Sequence, residues 1–410
     1  MPERIDTMYD QRAVSVIDTK KSKLKRRIIA ELYQSNSRTI AQLASVVHTS
    51  VPSVTGLIDE LTTSNWVCSI GTGTAQMGRK PSLFALKPDH YVTIVVDITV
   101  HDTKLLAIDL ANQVIHRLDL DLRLGESPSF VGELREPLQQ LAHQLSANAL
   151  TVIGIGATMP GLVNPELGFN FTHPELNQPG QSLSSLFASL FDAPIFFIND
   201  TKSILFGEAR FGLAKGKKHV ISINIDWGIG LGVMINGEII QGTSGFAGEL
   251  GHIQIKADGE LCTCGKVGCL DTLTSASSLI RRARLGLAQG QPSMLADDGA
   301  EAVTIESIIQ KANAGDAFCI DLLRDAGGEL GRGLAIAVHL FNPELIIVNG
   351  VLAKAATAIT KPIEQALIDH CLPDYQNSLT IRLSKLGEMA TLYGTHAYVL
   401  QRLLDHEQIP

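Results

Sequence analysis

The chain has 410 residues, 45% of them hydrophobic and 19% charged, with a formal net charge of −8. That length accommodates two or three domains with real cores, and the composition excludes disordered, collagen-like and low-complexity chains. No run of about 18 apolar residues occurs and the first twenty residues hold no apolar signal core, so a cytoplasmic protein with no membrane partner is expected. Without a secretory signal, the six cysteines argue against a disulfide framework.

Charge is unevenly distributed. Residues 1–90 carry 12 Lys and Arg against 8 Asp and Glu, net +4, whereas the remainder carries 22 against 34, net −12. A basic head on an acidic body predicts a nucleic-acid partner for the head; a solvated lysine-rich helix over "KKSKLKRR" is the alternative.

In chain order, "SKLKRRIIAELYQS" places Leu24, Ile28, Ile29 and Leu32 on one helical stripe. A second short helix follows in "TIAQLASVVHT", capped by Thr39, and a third in "VPSVTGLIDELTTSNWV". Ser50 caps the third helix, with Pro52 in its first turn and Val54, Leu57, Ile58 and Leu61 facing inward. Helix, short helix, turn, helix is the order of a helix-turn-helix, whose last helix presents its N-terminal residues to base edges. Ser50, Ser53 and Thr55 are therefore candidate DNA contacts. The next stretch, "WVCSIGTGTAQMGRKPSLFALKP", reads as strand, glycine-rich tip, strand, a wing whose Arg79 and Lys80 suit a narrow A·T minor groove. A three-helix packing module without DNA is the competing reading.

After Pro88 the pattern changes. "YVTIVVDI", "KLLAIDLA" and "QVIHRLDLDL" read as strands, followed by a helical "FVGELREPLQQLAHQLSA", a buried strand "VIGIGATMPG", and helix and strand again through "APIFFIND". A second cycle begins at "HVISINIDWGIGLGVMINGEII", predicting a mixed α/β body of two lobes around a cleft.

The segment "ELGHIQIKADGELCTCGKVGCLD" concentrates His252, Cys262, Cys264 and Cys269. One imidazole and three thiolates are the soft ligand set of a closed, tetrahedral zinc site, and glycines at 265 and 268 free the backbone so that the sulfurs converge. Unligated thiols are the alternative. With all four zinc positions filled, the metal is expected to be structural Zn²⁺.

The segments "GIGATMPGLVNPELG", "IND", "GTSGFAGELGH" and "CTCGKVGCLD" resemble the signature segments of the ROK family, which unites repressors and sugar kinases within the actin-like ATPase superfamily. With the N-terminal winged helix, the resemblance spans nearly the whole chain and is closest in kind to that family's transcriptional regulators. It implies an α/β protein with a winged helix-turn-helix at 1–88, an N-terminal ROK lobe at 89–198 against which a C-terminal helix at 390–410 packs back, and a C-terminal lobe with the zinc site at 199–389. It assigns the same four metal ligands, and it assigns sugar binding to Gly161, Asn199, Asp200, Glu249, His252 and Asp271. Carboxylates accept hydrogen bonds from paired sugar hydroxyls, and an amide both gives and takes. Asp271 stands where the family usually has glutamate.

Asp200 matches the general base of the family's kinases. The nucleotide side departs from the kinase pattern, however. Family kinases read Asp-Ile-Gly-Gly-Thr where this chain has Asp97-Ile98-Thr99-Val100-His101, and Gly-Thr-Gly-Ile-Gly where it has Asp226-Trp227-Gly228-Ile229-Gly230. A Gly-Gly on the adenosine side becomes Asn349-Gly350, and Lys202 stands where kinases often keep asparagine. Side chains replace glycines that let backbone approach phosphate, and an aspartate repels it. The expectation is a sugar-responsive DNA-binding regulator, a repressor of carbohydrate genes rather than an enzyme; the alternative is a DNA-binding sugar kinase using Asp200. Expected partners are operator DNA and a sugar or sugar phosphate, with the chain a homodimer or dimer of dimers.

Overall fold

The computed structural model describes residues 16–72, 80–127, 129–376 and 378–409. The head is a winged helix-turn-helix. Helix α1 (Val16–Ser35) carries the expected stripe and ends at Asn36, whose φ of 67° breaks it. Helix α2 (Ile40–Val46) starts with a reciprocal capping box between Thr39 and Gln42, and α3 (Val51–Thr63) is capped by the Ser50 hydroxyl. Val54, Leu57, Ile58 and Leu61 are buried on α3 against Ile28, Ile29 and Leu32 of α1 and Leu43 of α2. Strands β1 (Arg38–Thr39), β2 (Val67–Thr72) and β3 (Ser82–Leu86) form an antiparallel sheet in the order β1-β3-β2. The wing tip joining β2 to β3, with Arg79, lies outside the described residues.

Four of the six cations in the basic run on α1 are engaged within the protein, while Lys20 and Lys23 are exposed. Lys21 and Lys25 pair with Glu60 of α3, Arg27 donates to the carbonyls of Val46 and Val47 at the end of α2, and Arg26 reaches Glu407 at 2.6 Å. These cations brace the head.

The first lobe is built on β4 (Tyr91–Ile98), β5 (Thr103–Asp109), β6 (Val114–Leu120), β7 (Thr151–Met159) and β10 (Ile195–Asn199), in the order β10-β7-β4-β5-β6. A small ribbon, β8 (Val163–Asn164) with β9 (Phe169–Asn170), lies between β7 and β10 in sequence. Strands β4, β7 and β10 run parallel, and the β4–β5–β6 meander is antiparallel. Helices Arg135–Ala147 and Leu183–Leu190 cover one face through Leu138, Leu141, Leu186 and Phe187. The C-terminal helix Met389–Asp405 covers the other. Its approach explains the glycine alternation in "VIGIGATMPG": a Cβ on Gly154 would lie 2.7 Å from Val399, and one on Gly156 2.5 Å from Thr395.

In the second lobe β11 (Val220–Ile225), β12 (Ile229–Ile235), β13 (Glu238–Ile239), β14 (Leu345–Asn349) and β15 (Thr380–Leu383) take the order β13-β12-β11-β14-β15. Its main core lies between this sheet and helices Ala276–Ala288, Ile305–Asn313, Ala317–Phe341 and Thr357–His370. On the opposite face sits helix Asp200–Phe211, held close by Gly230 and Gly232, where side chains would strike Thr201 and Leu205. The same helix packs against the C-terminal helix with backbone nearly touching backbone: a Cβ on Gly207 would overlap the Ala390 carbonyl, and one on Gly394 the Ser203 carbonyl. It is thus shared by both lobes.

The head does not hang on a free linker. Its hydrophobic core is continuous with Phe196, Ile198, Tyr398, Val399 and Leu403 of the body. Trp66 stacks on Tyr91 at 4.3 Å, the Tyr91 hydroxyl donates to the Ser64 carbonyl at 2.9 Å, and Lys87 Nζ donates to Asn65 at 2.7 Å. Deeper in, Tyr33 of α1 meets the fully buried ring of His396, whose Nδ1 lies 2.6 Å from the Thr93 hydroxyl. Burial, reinforced by the nearby Arg210 cation, pushes the His396 pKa down to about 3. In the fold the imidazole stays neutral, whereas in the unfolded chain it takes a proton below about 6.5. Its contribution to stability is therefore complete above about pH 6.5 and is lost as pH falls toward 3, at up to about 1.4 kcal/mol per pH unit. The gap in urea midpoint between the wild-type chain and His396→Gln should shrink as pH falls from 7 to 5. A constant gap would mean that the folded histidine titrates normally.

Candidate functional site

The cleft is organised by the junction of β10 with helix Asp200–Phe211. Asn199 ends the strand and caps the helix: its Oδ1 accepts from the Lys202 amide at 3.3 Å, while its Nδ2 donates to the Gly161 carbonyl at 3.1 Å and to Asp200 Oδ1 at 2.9 Å. Asp200 Oδ1 also accepts from the Thr201 amide at 2.7 Å. Burial, with Asp226 and Glu249 nearby, pushes Asp200 up to about 6 despite those bonds. Gly161 has φ of 84°, and a Cβ there would lie 2.5 Å from the Thr172 hydroxyl, so the turn by itself requires glycine.

From the second lobe come Glu249, a short 3₁₀ turn Leu250–His252, and Asp271. Burial raises the Glu249 pKa, opposed by His252 and by Lys202. Lys202 is itself buried, and its Nζ donates to the Gly245 carbonyl. Sequence reasoning treated this lysine only as a departure; it is the cation among the site's carboxylates. Asp271 also has a neighbour in His252, but its Oδ1 is engaged by the Ile229 amide at 2.8 Å, so it braces the second loop of the cleft and keeps one oxygen for other partners. Gly161, Asn199 and Asp200 are thus joined by hydrogen bonds, and Glu249, His252 and Asp271 by electrostatic proximity.

His252, Cys262, Cys264 and Cys269 place their ligand atoms within 4.8 Å of one another. Cys262 Sγ lies 3.6 Å from His252 Nδ1, and Cys264 Sγ lies 3.6 Å from Cys269 Sγ. A tetrahedron with metal–sulfur bonds of about 2.3 Å has sulfur–sulfur edges of about 3.8 Å, so the cluster fits one tetrahedral ion. The loop earns this convergence from its glycines: Gly265 has φ of 85°, and Gly268, at φ 73°, passes so close to the Lys256 carbonyl that a Cβ would overlap it. Nδ1 is the ring nitrogen that meets Cys262, and the same ring is an electrostatic neighbour of Glu249 and Asp271.

On the nucleotide side the loops have turned inward. The Thr99 hydroxyl accepts from the amides of His101 and Asp102, both at 3.0 Å, and the Thr99 amide bonds to the Asp102 carbonyl at 2.9 Å. Asp226 Oδ1 takes the Trp227 amide at 2.9 Å, and the Asp226 amide goes to the Gly228 carbonyl at 3.0 Å. Five backbone N–H groups of these loops, those of Thr99, His101, Asp102, Asp226 and Trp227, are thus bound within their own loops and turned away from any anion. Asp97, fully buried near Lys104 and Asp200, is pushed up to about 7 by desolvation. The two loops meet across the cleft, with the His101 ring edge-on to Trp227 at 5.5 Å. Asn349 Nδ2 is bound to the Ser222 hydroxyl at 2.9 Å.

On the head, Ser50 and Ser53 are exposed at the start of α3 and joined hydroxyl to hydroxyl at 2.8 Å, while the half-buried Thr55 donates to the Val51 carbonyl at 2.9 Å. Lys80 is exposed at the base of the wing. Val46 and Val51, which the sequence reading did not single out, are exposed as well.

The ROK family model matches residues 93–402. The xylose repressor of Bacillus spizizenii is 26% identical over 93% of this chain and 96% of its own length. The DNA-binding transcriptional dual regulator NagC of Escherichia coli is 26% identical over 89% of each chain. Among solved structures, a ROK family transcriptional regulator described as a homologue of the E. coli MLC protein superposes with a TM-score of 0.82 at 27% identity, covering 95% of this chain and 98% of that one. A ROK family glucokinase from Streptomyces griseus, in complex with glucose and AMPPNP, shares the body fold at a TM-score of 0.62 and 23% identity, covering 76% of this chain and 99% of that one. A match over most of its length, on the same two-lobed body and metal-ligand cluster, makes this chain a member of the ROK family.

Proposed function

We propose that this chain is a sugar-responsive, DNA-binding transcriptional regulator, a repressor of carbohydrate genes, acting in the cytoplasm as a homodimer or dimer of dimers. Among the described residues no helix is long and apolar enough to cross a membrane, in keeping with that role. One observation carries the reading: beside a winged helix, the cleft keeps its polar sugar-facing groups while the amides of His101, Asp102 and Trp227 are bound by side chains of their own loops. Gly161, Asn199, Asp200, Glu249, His252 and Asp271 form the sugar site in this reading. Ser50, Ser53, Thr55, Arg79 and Lys80 meet operator DNA. Structural Zn²⁺ on His252, Cys262, Cys264 and Cys269 fixes the histidine ring so that its free edge meets a hydroxyl.

The named relatives direct the ligand search to xylose and N-acetylglucosamine first, with other hexoses, amino sugars and 6-phosphates beside them. Carboxylates crowd the cleft, and Asp97 and Asp200 are already raised toward neutrality, so a neutral sugar should bind more tightly than its 6-phosphate. A ligand at 100 times its Kd should stabilise the chain by about 2.7 kcal/mol in a thermal-shift screen. Glu249→Ala should abolish that shift, leave binding to a DNA site selected without sugar nearly unchanged, and remove the effect of sugar on it, an effect expected at about 1–3 kcal/mol. A saturating sugar that left DNA affinity unchanged in both proteins would overturn the sensing role.

Zinc should copurify at one ion per chain by elemental analysis. Cys264→Ser should lower both metal content and sugar affinity, because His252 loses its anchor; full sugar affinity in metal-free protein would remove the structural role.

Mg·ATP at about 1 mM should stabilise the chain by less than about 0.4 kcal/mol, corresponding to a Kd weaker than the ligand concentration. Sugar phosphorylation at roughly 1–100 s⁻¹ would instead make Asp200 a catalytic base.

A further inference from the structure

Helix Asp200–Phe211 begins in the proposed sugar site and ends at the head. Its 12 residues span about 18 Å at 1.5 Å per residue. At the far end Arg210 projects into the seam with α1: its guanidinium donates to the Tyr33 carbonyl and lies 4.5 Å from the centre of the Tyr33 ring. Tyr33 is in the last turn of α1, where carbonyls lack intrahelical partners, so Arg210 acts as a C-terminal cap supplied by the body.

We infer that the Arg210–Tyr33 contact is the joint that transmits occupancy of the sugar site to the orientation of the DNA-binding head. This rests on the sugar-sensing reading given above and supplies its route. Three observations support it.

The groups proposed to hold sugar are also the helix's own cap. Asn199 Oδ1 binds the Lys202 amide, and Asp200 Oδ1 binds the Thr201 amide and Asn199 Nδ2. A hydroxyl bound to either side chain competes with those bonds, so a ligand at this end acts directly on the helix's first turn.

The helix is locked against the C-terminal helix. Gly207 and Gly394 bring the two backbones together, and the Ser203 hydroxyl bonds to the Thr391 carbonyl at 2.7 Å and to the Thr395 hydroxyl at 2.8 Å. Contacts from this pair face α1 in the seam: Arg210 donates to the Tyr33 carbonyl, the His396 ring meets the Tyr33 ring edge-on, and, just past the C-terminal helix, Glu407 pairs with Arg26.

The joint is not saturated. Among the described residues the Tyr33 hydroxyl, Arg210 Nε and His396 Nε2 are buried without a hydrogen-bond partner, and they come from three different elements. Buried polar groups are normally paired, so a small rotation that pairs any two of them supplies a second stable arrangement.

The test uses the full chain with D-xylose and N-acetyl-D-glucosamine as probes, reading binding by thermal shift and head response by hydrogen exchange of the α1 segment 28–36. Arg210→Gln should bind the effective probe within about twofold of wild type, yet lose at least fivefold of the sugar-induced change in exchange. Tyr33→Phe removes only an unpartnered hydroxyl: without sugar it should melt at or above the wild-type temperature, and with sugar its response should still be reduced. Equal responses in wild type and both variants, with sugar bound to all three, would overturn the joint and leave the sensor intact. If neither probe nor any sugar of the wider screen bound wild type, the sensing reading would fall and the joint with it.

Discussion

The structure depends on the contact between helix Asp200–Phe211 and the C-terminal helix Met389–Asp405. Both helices cross at glycine, Gly207 on one and Gly394 on the other, and neither position has room for a Cβ. Because backbone meets backbone, the pair can sit between two sheets at once: β7 reaches the C-terminal helix through Gly154 and Gly156, and β12 reaches the other through Gly230 and Gly232. The order of the first lobe, its closure by a segment from the far end of the chain, and the seam with the head all follow from that approach.

The same constraint sets the chemistry of the cleft. A helix start wedged between the lobes leaves Asn199 and Asp200 half-buried, and their bonds to Gly161 and Thr201 hold them in place. Desolvation raises Asp200, Asp226 and Glu249 together, so the site favours groups that donate hydrogen bonds over groups that bring negative charge. Across the cleft, Thr99 and Asp226 do to the phosphate loops what a ligand would do, by accepting the loop amides themselves. One half of the cleft gathers carboxylates and an amide, and the other folds its loop amides onto its own side chains.

What was legible in the sequence was local. The stripe Val54, Leu57, Ile58 and Leu61, the caps at Thr39 and Ser50, and the cysteine loop with its two glycines depend on neighbours a few residues away, and their geometry follows from spacing. The seam was not legible. Arg26 and Glu407 are 381 residues apart and Arg210 and Tyr33 are 177 apart, and nothing about an arginine late in a helix names its partner. The alternating glycines of "VIGIGATMPG" signalled a close approach, but only the fold identifies Val399 and Thr395 as what approaches. The lysine-rich start of α1 suggested a surface for DNA or water; Lys20 and Lys23 are exposed, while Lys21, Lys25, Arg26 and Arg27 are engaged by Glu60, Glu407 and the end of α2. Asp271 was assigned by family pattern to the sugar, yet its bond to the Ile229 amide gives it a second duty that no motif encodes.

The chain contains only two tryptophans, and the fold stations them at opposite ends of this machinery. Trp66, 4% exposed and stacked on Tyr91, lies in the seam beneath the head; Trp227, 49% exposed, stands at the mouth of the closed phosphate loop. Indole emission moves to longer wavelength with solvent contact, so the two rings differ in colour and in access to a soluble quencher. The protein thereby carries its own pair of optical gauges, one reading the cleft and one reading the seat of the DNA-binding head, with no label to disturb either.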